Sequence, residues 1–310
     1  MLYKGELLAF ATTISWTTCA LVGEVASKRM GTLPFNVVRM TFSVLMLSIV
    51  LCIFTGAPFP TDADAETWFW LALSGFVGYV LGDFCLYNSY NLIGARYGQL
   101  LMTLAPPSAS LFGWIMLGEK MSGMALIGMT ISIVGISIAI HRPKKNSEPQ
   151  QKISGKGILY GIGAGVGQGV GLVLSAKGLH CYTQATEDYE ISVNLMSFEG
   201  TFIRAVMGVI GFSVWTMLRY KLADFWHSAT CTHGIPHTLA ATITGPFIGV
   251  GLSLMATQYT STGIAQTIMS LTPVFIILPT YLIYHQKITL HEIVGAVVAV
   301  AGVGLFFVES

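Results

Sequence analysis

The chain has 310 residues, 53% of them hydrophobic and 10% charged, with a formal net charge of +1 and a mean hydropathy of +0.68. An ordinary soluble domain is about 25% charged, so the composition excludes a water-soluble globular protein and predicts an integral membrane protein. No stretch has the clustered basic character of a nucleic-acid surface, and no nucleic-acid partner is expected.

Apolar stretches of about 20 residues predict ten spans, at 5–27, 34–54, 68–90, 96–117, 122–140, 154–178, 193–218, 236–258, 262–284 and 289–308. Span one is too long, and too rich in Thr, Trp and Cys, for a cleaved signal peptide, and it is expected to stay in the chain. Its Trp16 is a candidate substrate contact, while Glu24 beside Lys28 reads as an end-of-helix charge. In span two, Arg39 is expected to snorkel to the interface. Span three carries Tyr79, Asp83, Tyr87 and Tyr90 within about 80° of one another at 100° per residue, a stripe that should not face lipid. An ionisable residue inside a span is a functional hypothesis by default. Asp83 is therefore read either as the contact for a cationic group or a proton, or as an end-of-helix carboxylate that is solvated or paired with Arg96 or Arg39.

Span four sets Gln99, Thr103, Pro106 and Ser110 on one face, and span five sets Gly128, Ser132, Gly135 and Ala139 in a small-residue seam. The hydrophilic linker His141 to Lys156 carries Arg142, Lys144, Lys145, Lys152 and Lys156. Span six has one glycine stripe at 157, 161, 165 and 169 and a second at 163, 167 and 171, which predicts burial on two sides, with Gln168 reaching a cavity. The glycine run lacks the following Lys-Ser or Lys-Thr of a phosphate loop. Span seven holds Glu199 and Arg204, about 140° apart on a helix, so a direct pair is not expected; each is a candidate charge partner, with Arg204 placed to hold an anionic substrate group or brace a carboxylate. His227, Cys231, His233 and His237 cluster in the next loop, but their spacing matches no zinc signature, and no metal is expected. Span nine presents Gln266, Ser270 and Pro273, and span ten Gly295, Ala299 and Gly302. The five cysteines are scattered, and no structural disulfide is expected.

Gly78, Gly82, Gln99, Met102, Leu104, Pro106, Leu111, Lys120, Gly128 and Gly135 each recur 167 positions later, as Gly245, Gly249, Gln266, Met269, Leu271, Pro273, Leu278, Lys287, Gly295 and Gly302. The chain therefore reads as an all-α membrane protein of two repeats, 1–140 and 154–310, joined by a linker at 141–153. Five spans per repeat is odd, so the second copy enters the bilayer from the opposite side and the repeats are inverted. Inverted-repeat transporters place their substrate near the midplane, beside paired helix breaks; Pro106 and Pro273 are such a pair, the competing reading being helices bent only to fit the bundle. Loops 1–2, 3–4, 5–6, 7–8 and 9–10 hold eleven Lys or Arg against three on the other side. The linker side is expected to be cytoplasmic, with both termini outside.

Residues 75–122, "GFVGYVLGDFCLYNSYNLIGARYGQLLMTLAPPSASLFGWIMLGEKMS", and their echo at 260–289 resemble the EamA family of the drug/metabolite transporter superfamily. The resemblance implies a metabolite or amino-acid exporter with a central cavity, and cytoplasmic termini, against the charge count. The resulting expectation is a monomeric alternating-access transporter of the plasma membrane, with a small-molecule substrate, a proton or another coupling ion as an open partner, and no cofactor. The rivals are a membrane-embedded enzyme and a receptor or assembly factor. No His falls mid-span and no carboxylate pair stands at i, i+3 or i, i+4 within one, and no loop exceeds about 20 residues.

Overall fold

The structure is a computed structural model that describes residues 3–117, 123–140, 154–185, 193–259, 268–284 and 288–305, and the described residues are helical apart from short connections. Among the described residues six helices are long and apolar enough to cross a membrane: α1 (Lys4–Met30), α2 (Thr32–Thr55), α3 (Ala65–Ile93), Gly155–Ala185, Leu195–Arg219 and Ile235–Ser253. Helix α4 (Ala95–Leu101) passes through a 3₁₀ turn into α5 (Ala105–Leu117), and α6 (Gly123–Ile140) completes the first half. The second half comprises α7 (Gly155–Ala185), α8 (Val193–Arg219), α9 (Leu222–Ala229), α10 (Ile235–Thr242), α11 (Ile248–Tyr259), α12 (Thr272–Phe275), α13 (Ile277–Tyr284) and α14 (Leu290–Leu305).

Local chemistry explains the element ends. Gly31 (φ 81°) and Gly94 (φ 85°) each turn the chain within one residue, a backbone state open to glycine, and so join α1 to α2 and α3 to α4. The Asp64 carboxylate accepts the Thr67 N–H at 2.9 Å and caps α3. Span four, expected as one helix, breaks at Met102–Leu104 just ahead of Pro106, whose ring cannot donate to the preceding turn. The segment expected as a plain loop between spans seven and eight contains α9, whose Leu222 and Trp226 are exposed. Among the described residues no three His, Cys, Asp or Glu gather as a metal site.

Two π-helical segments were not anticipated, Phe76–Asp83 within α3 and Ile243–Phe247 between α10 and α11. They begin 167 positions apart, so the irregularity obeys the sequence repeat. The wider turn also breaks the 100° step on which the Tyr79 to Tyr90 stripe was drawn.

Helix packing is reciprocal. α2 packs on α8, and α6 on α14, each pairing matching members of the two repeats, while α1 packs on α10–α11 and α7 on α3. Where α6 meets α14, Ser132 Oγ donates to the Ala299 carbonyl at 3.0 Å. A Cβ added to Gly295 would lie 2.5 Å from Ala139 N, one on Gly135 2.3 Å from Ala299 N, and one on Gly302 2.7 Å from Gly128 O. Numbers rise on one helix as they fall on the other, so the pair is antiparallel. Gly135 meets the counterpart of Gly128, and Gly128 meets the counterpart of Gly135, the self-complementary contact that a two-fold axis generates. The two stripes of α7 are both buried, Gly161, Gly165 and Gly169 against α4–α5, and Gly167 and Gly171 against Gly82 and Gly78 of α3.

Candidate substrate cavity

A cavity of about 400 Å³ lies between the two halves of the chain. Its wall is built in pairs from the repeat: Met102 with Met269, Thr103 with Ser270, and Pro106 with Pro273. A second register, set by Lys4-Gly5 and Lys156-Gly157, relates α1 to α7 and makes Trp16 the counterpart of Gln168. Both line the cavity. Each also leans on a glycine, Gln168 on Gly82 at the end of the first π segment and Trp16 on Gly249 two residues past the second, and the two glycines are themselves counterparts. A side chain at either glycine would occupy the space those two residues use.

Of the residues proposed from sequence, Trp16, Tyr79, Gln99, Thr103, Gln168, Ser270 and Arg204 line the cavity with Pro106 and Pro273. Gln266 lies outside the described residues. Asp83 and Tyr87 stand behind the wall. Arg39 forms a buried ion pair with Asp83, with 5% and 7% of the two side chains exposed, and Gln168 Nε2 donates to the other carboxylate oxygen at 2.8 Å and to the Gly78 carbonyl at 3.1 Å. Arg39 is therefore no interfacial snorkeller: it is drawn inward by Asp83 and braced by Asn36 at 3.3 Å. The Tyr87 ring is packed edge-on against Phe35 and Tyr90, and Tyr90 accepts from Gln99 Nε2 at 2.7 Å. Glu199 is taken by the Tyr182 hydroxyl at 2.7 Å and does not pair with Arg204. Arg96, at the predicted start of span four and an alternative partner for Asp83, is instead buried between α4 and α14, where Glu292 lies 3.3 Å away and also accepts from Tyr97.

Access to the cavity is one-sided. The late α7 residues Leu172, Ser175, Ala176 and Leu179, and Ser197, Gly200 and Thr201 at the start of α8, line it. Their counterparts on the opposite side are Ala20, Gly23, Glu24 and Ser27 in α1, and Thr32, Phe35 and Asn36 in α2. All but Glu24 are buried. That side is filled by Phe35, Tyr87, Tyr90 and Cys19 in one apolar cluster, and the Tyr87 ring reaches Gly23. Glu24, besides pairing with Lys28, accepts the Ala95 N–H at 2.8 Å and so ties α1 to the start of α4. Sequence reasoning missed the whole open rim.

A family model described as the EamA-like transporter family matches residues 3–140 and 155–308. Among solved structures, one described as "Crystal structure of protein" superposes with a TM-score of 0.56, covering 98% of this chain and 96% of its own at 15% identity, a likeness of fold. The comparison with curated proteins finds no match.

Proposed function

The chain belongs to the EamA-like transporter family, and on that premise we propose that it is an alternating-access secondary transporter working through the cavity between two inverted repeats, 1–140 and 154–310. The observation that carries this reading is the one-sided opening. Seven positions of the second repeat line the cavity, four of them (Leu172, Ala176, Leu179 and Ser197) exposed or half-buried, while none of their seven counterparts in the first lines it and six of those are buried, in a molecule whose halves are otherwise packed reciprocally. A pseudo-symmetric pair with one gate shut has a natural alternative in which the gates exchange roles. The antiparallel α6–α14 seam supports inversion, because a two-fold axis across antiparallel membrane helices lies in the membrane plane.

The site suits a small organic solute such as a metabolite or amino acid: about 400 Å³, mostly apolar, with hydroxyls and amides from both halves. With the linker at 141–153 in the cytoplasm of a plasma-membrane protein, the end of α7 and the start of α8 face outside, and this conformation is the outward-open one. Export then loads from the reciprocal state. The purified full-length chain in proteoliposomes, offered a metabolite panel with and without a proton gradient, should show saturable exchange of at least one class. Folded, inserted protein that moves no solute in either direction overturns the reading.

A further inference from the structure

The two repeats match in shape and differ in charge. Arg39 and Arg204 hold corresponding places: Thr242 Oγ1 donates to the Arg39 carbonyl at 3.4 Å, and its counterpart Gly75 would set a Cβ 2.5 Å from the Arg204 carbonyl. Their guanidiniums also approach corresponding glycines, Arg39 at Gly245 and Arg204 at Gly78. Beside Arg39 stands Asp83, whereas the residue 167 positions after Asp83 is Val250, which lines the cavity together with Arg204. The second repeat keeps the cation and lacks its anion.

Arg204 accordingly lies with its guanidinium 4.7 Å over the Tyr79 ring, and its Nε is buried without a hydrogen-bond partner. Among the described residues it makes no ion pair, and none of the residues lining the cavity is Asp, Glu or Lys. The sequence of 260–267 is likewise free of ionisable residues. The nearby carboxylates are committed elsewhere, Asp83 to Arg39 and Gln168, and Glu199 to Tyr182.

We infer that Arg204 is the subsite for a substrate carboxylate, and that the solutes carried are small organic monocarboxylates whose apolar bodies rest on Trp16, Met102, Leu172 and Met269. A cation in an apolar wall without a partner is unfavourable unless the ligand supplies one. The planar guanidinium fork fits a carboxylate through two parallel hydrogen bonds. One positive charge is neutralised by one negative charge; a dianionic phosphate leaves an excess anion, and the ammonium of a zwitterion restores a cation with no wall carboxylate to receive it.

The inference rests on the transporter reading only in taking this cavity as the substrate site, and binding tests it without flux. Titration calorimetry on the full-length protein in detergent would compare phenylacetate, phenylacetamide and phenethylamine, which share a ring and differ in the end group. Phenylacetate should bind about tenfold to a hundredfold more tightly than the amide, the range expected of hydrogen bonds to a charged group. Arg204→Gln should abolish that preference and Arg204→Lys retain part of it. Val250→Asp, which supplies the missing anion while leaving Arg204 in place, should abolish it too. No phenylacetate binding, equal affinity for acid and amide, or a preference that survives Arg204→Gln or Val250→Asp overturns the subsite. An intact preference with no flux of any solute sinks the transporter reading alone, and flux without the preference sinks the carboxylate subsite alone.

Discussion

Asp83→Asn keeps the volume of the side chain and removes its charge, leaving a guanidinium with 5% of its side chain exposed and no anion beside it. At a contact of about 3 Å and an effective dielectric of about 20, the lost attraction is roughly 5 to 6 kcal/mol. Removing one partner of a buried pair costs about 3 to 5 kcal/mol. Because the amide still accepts one hydrogen bond, and Asn36 continues to hold Arg39, the lower end, about 3 kcal/mol, is expected. Arg39→Gln should cost a similar amount. The double variant removes both charges and should recover most of the loss, a coupling of about 2 to 3 kcal/mol. Denaturant titration of the four proteins in mixed micelles, followed by tryptophan fluorescence and circular dichroism, closes the cycle. Strict additivity would refute the ion-pair argument. Wild-type stability of Asp83→Asn together with lost flux would return Asp83 to a direct part in transport.

Three further outcomes follow from separate features. Gly295→Ala drives a methyl to 2.5 Å from the backbone of Ala139 and should cost about 1 to 3 kcal/mol; Gly155→Ala, with nothing within 4 Å, should stay within about 0.5 kcal/mol, and equal effects in the same titration count against the seam. The exposed Asp64 carboxyl is held below the usual carboxylate range by the Thr67 amide it accepts from. Its folded value being the lower one, the cap's contribution is present above the unfolded value and fades as pH falls through the folded one. Asp64→Ala should therefore cost about 1 kcal/mol at neutral pH and progressively less below about pH 4; a difference from wild type that stays constant with pH contradicts the cap. A pair of reporters fused after Ser310, one active only in the cytoplasm and one only outside, should report an outside terminus, since each basic residue adds only about 1 kcal/mol and the loop bias is cumulative. The cytoplasmic signal alone would reverse the orientation and leave the repeats intact.

The long apolar runs were legible because lipid demands them, and the repeat because glycine, glutamine and proline in register are too specific for chance apolar matching. The α6–α14 seam followed from Gly128, Gly135, Gly295 and Gly302, since small residues have few other uses on a membrane helix. Pairing with Arg39 was one of the alternatives read for Asp83, but the burial of Arg39 and the fate of Arg96 were not legible. Their partners Asp83 and Glu292 stand 44 and 196 residues away, and hydropathy treats each arginine as a lone charge bound for the interface. The π segments escaped because no residue pattern encodes one extra residue in a turn. Cavity residues on strongly periodic faces, Gln99, Thr103 and Pro106, were found. The rim at Ser197 and Thr201 was not, because which gate is shut depends on packing across the repeats.

Each half lends its first helix to the other, and that exchange governs how the molecule can be made. Ser74 of α3 donates to the Gly171 carbonyl 97 residues downstream, and Thr13 of α1 reaches the Ile268 carbonyl 255 residues later. A ribosome that has delivered only the first half has therefore inserted helices whose glycine and hydroxyl faces have no protein to meet. Nascent chains arrested before α7 should be held by lipid or the insertion machinery and degraded if they are released, whereas two separately synthesised halves present together contain every surface required to assemble.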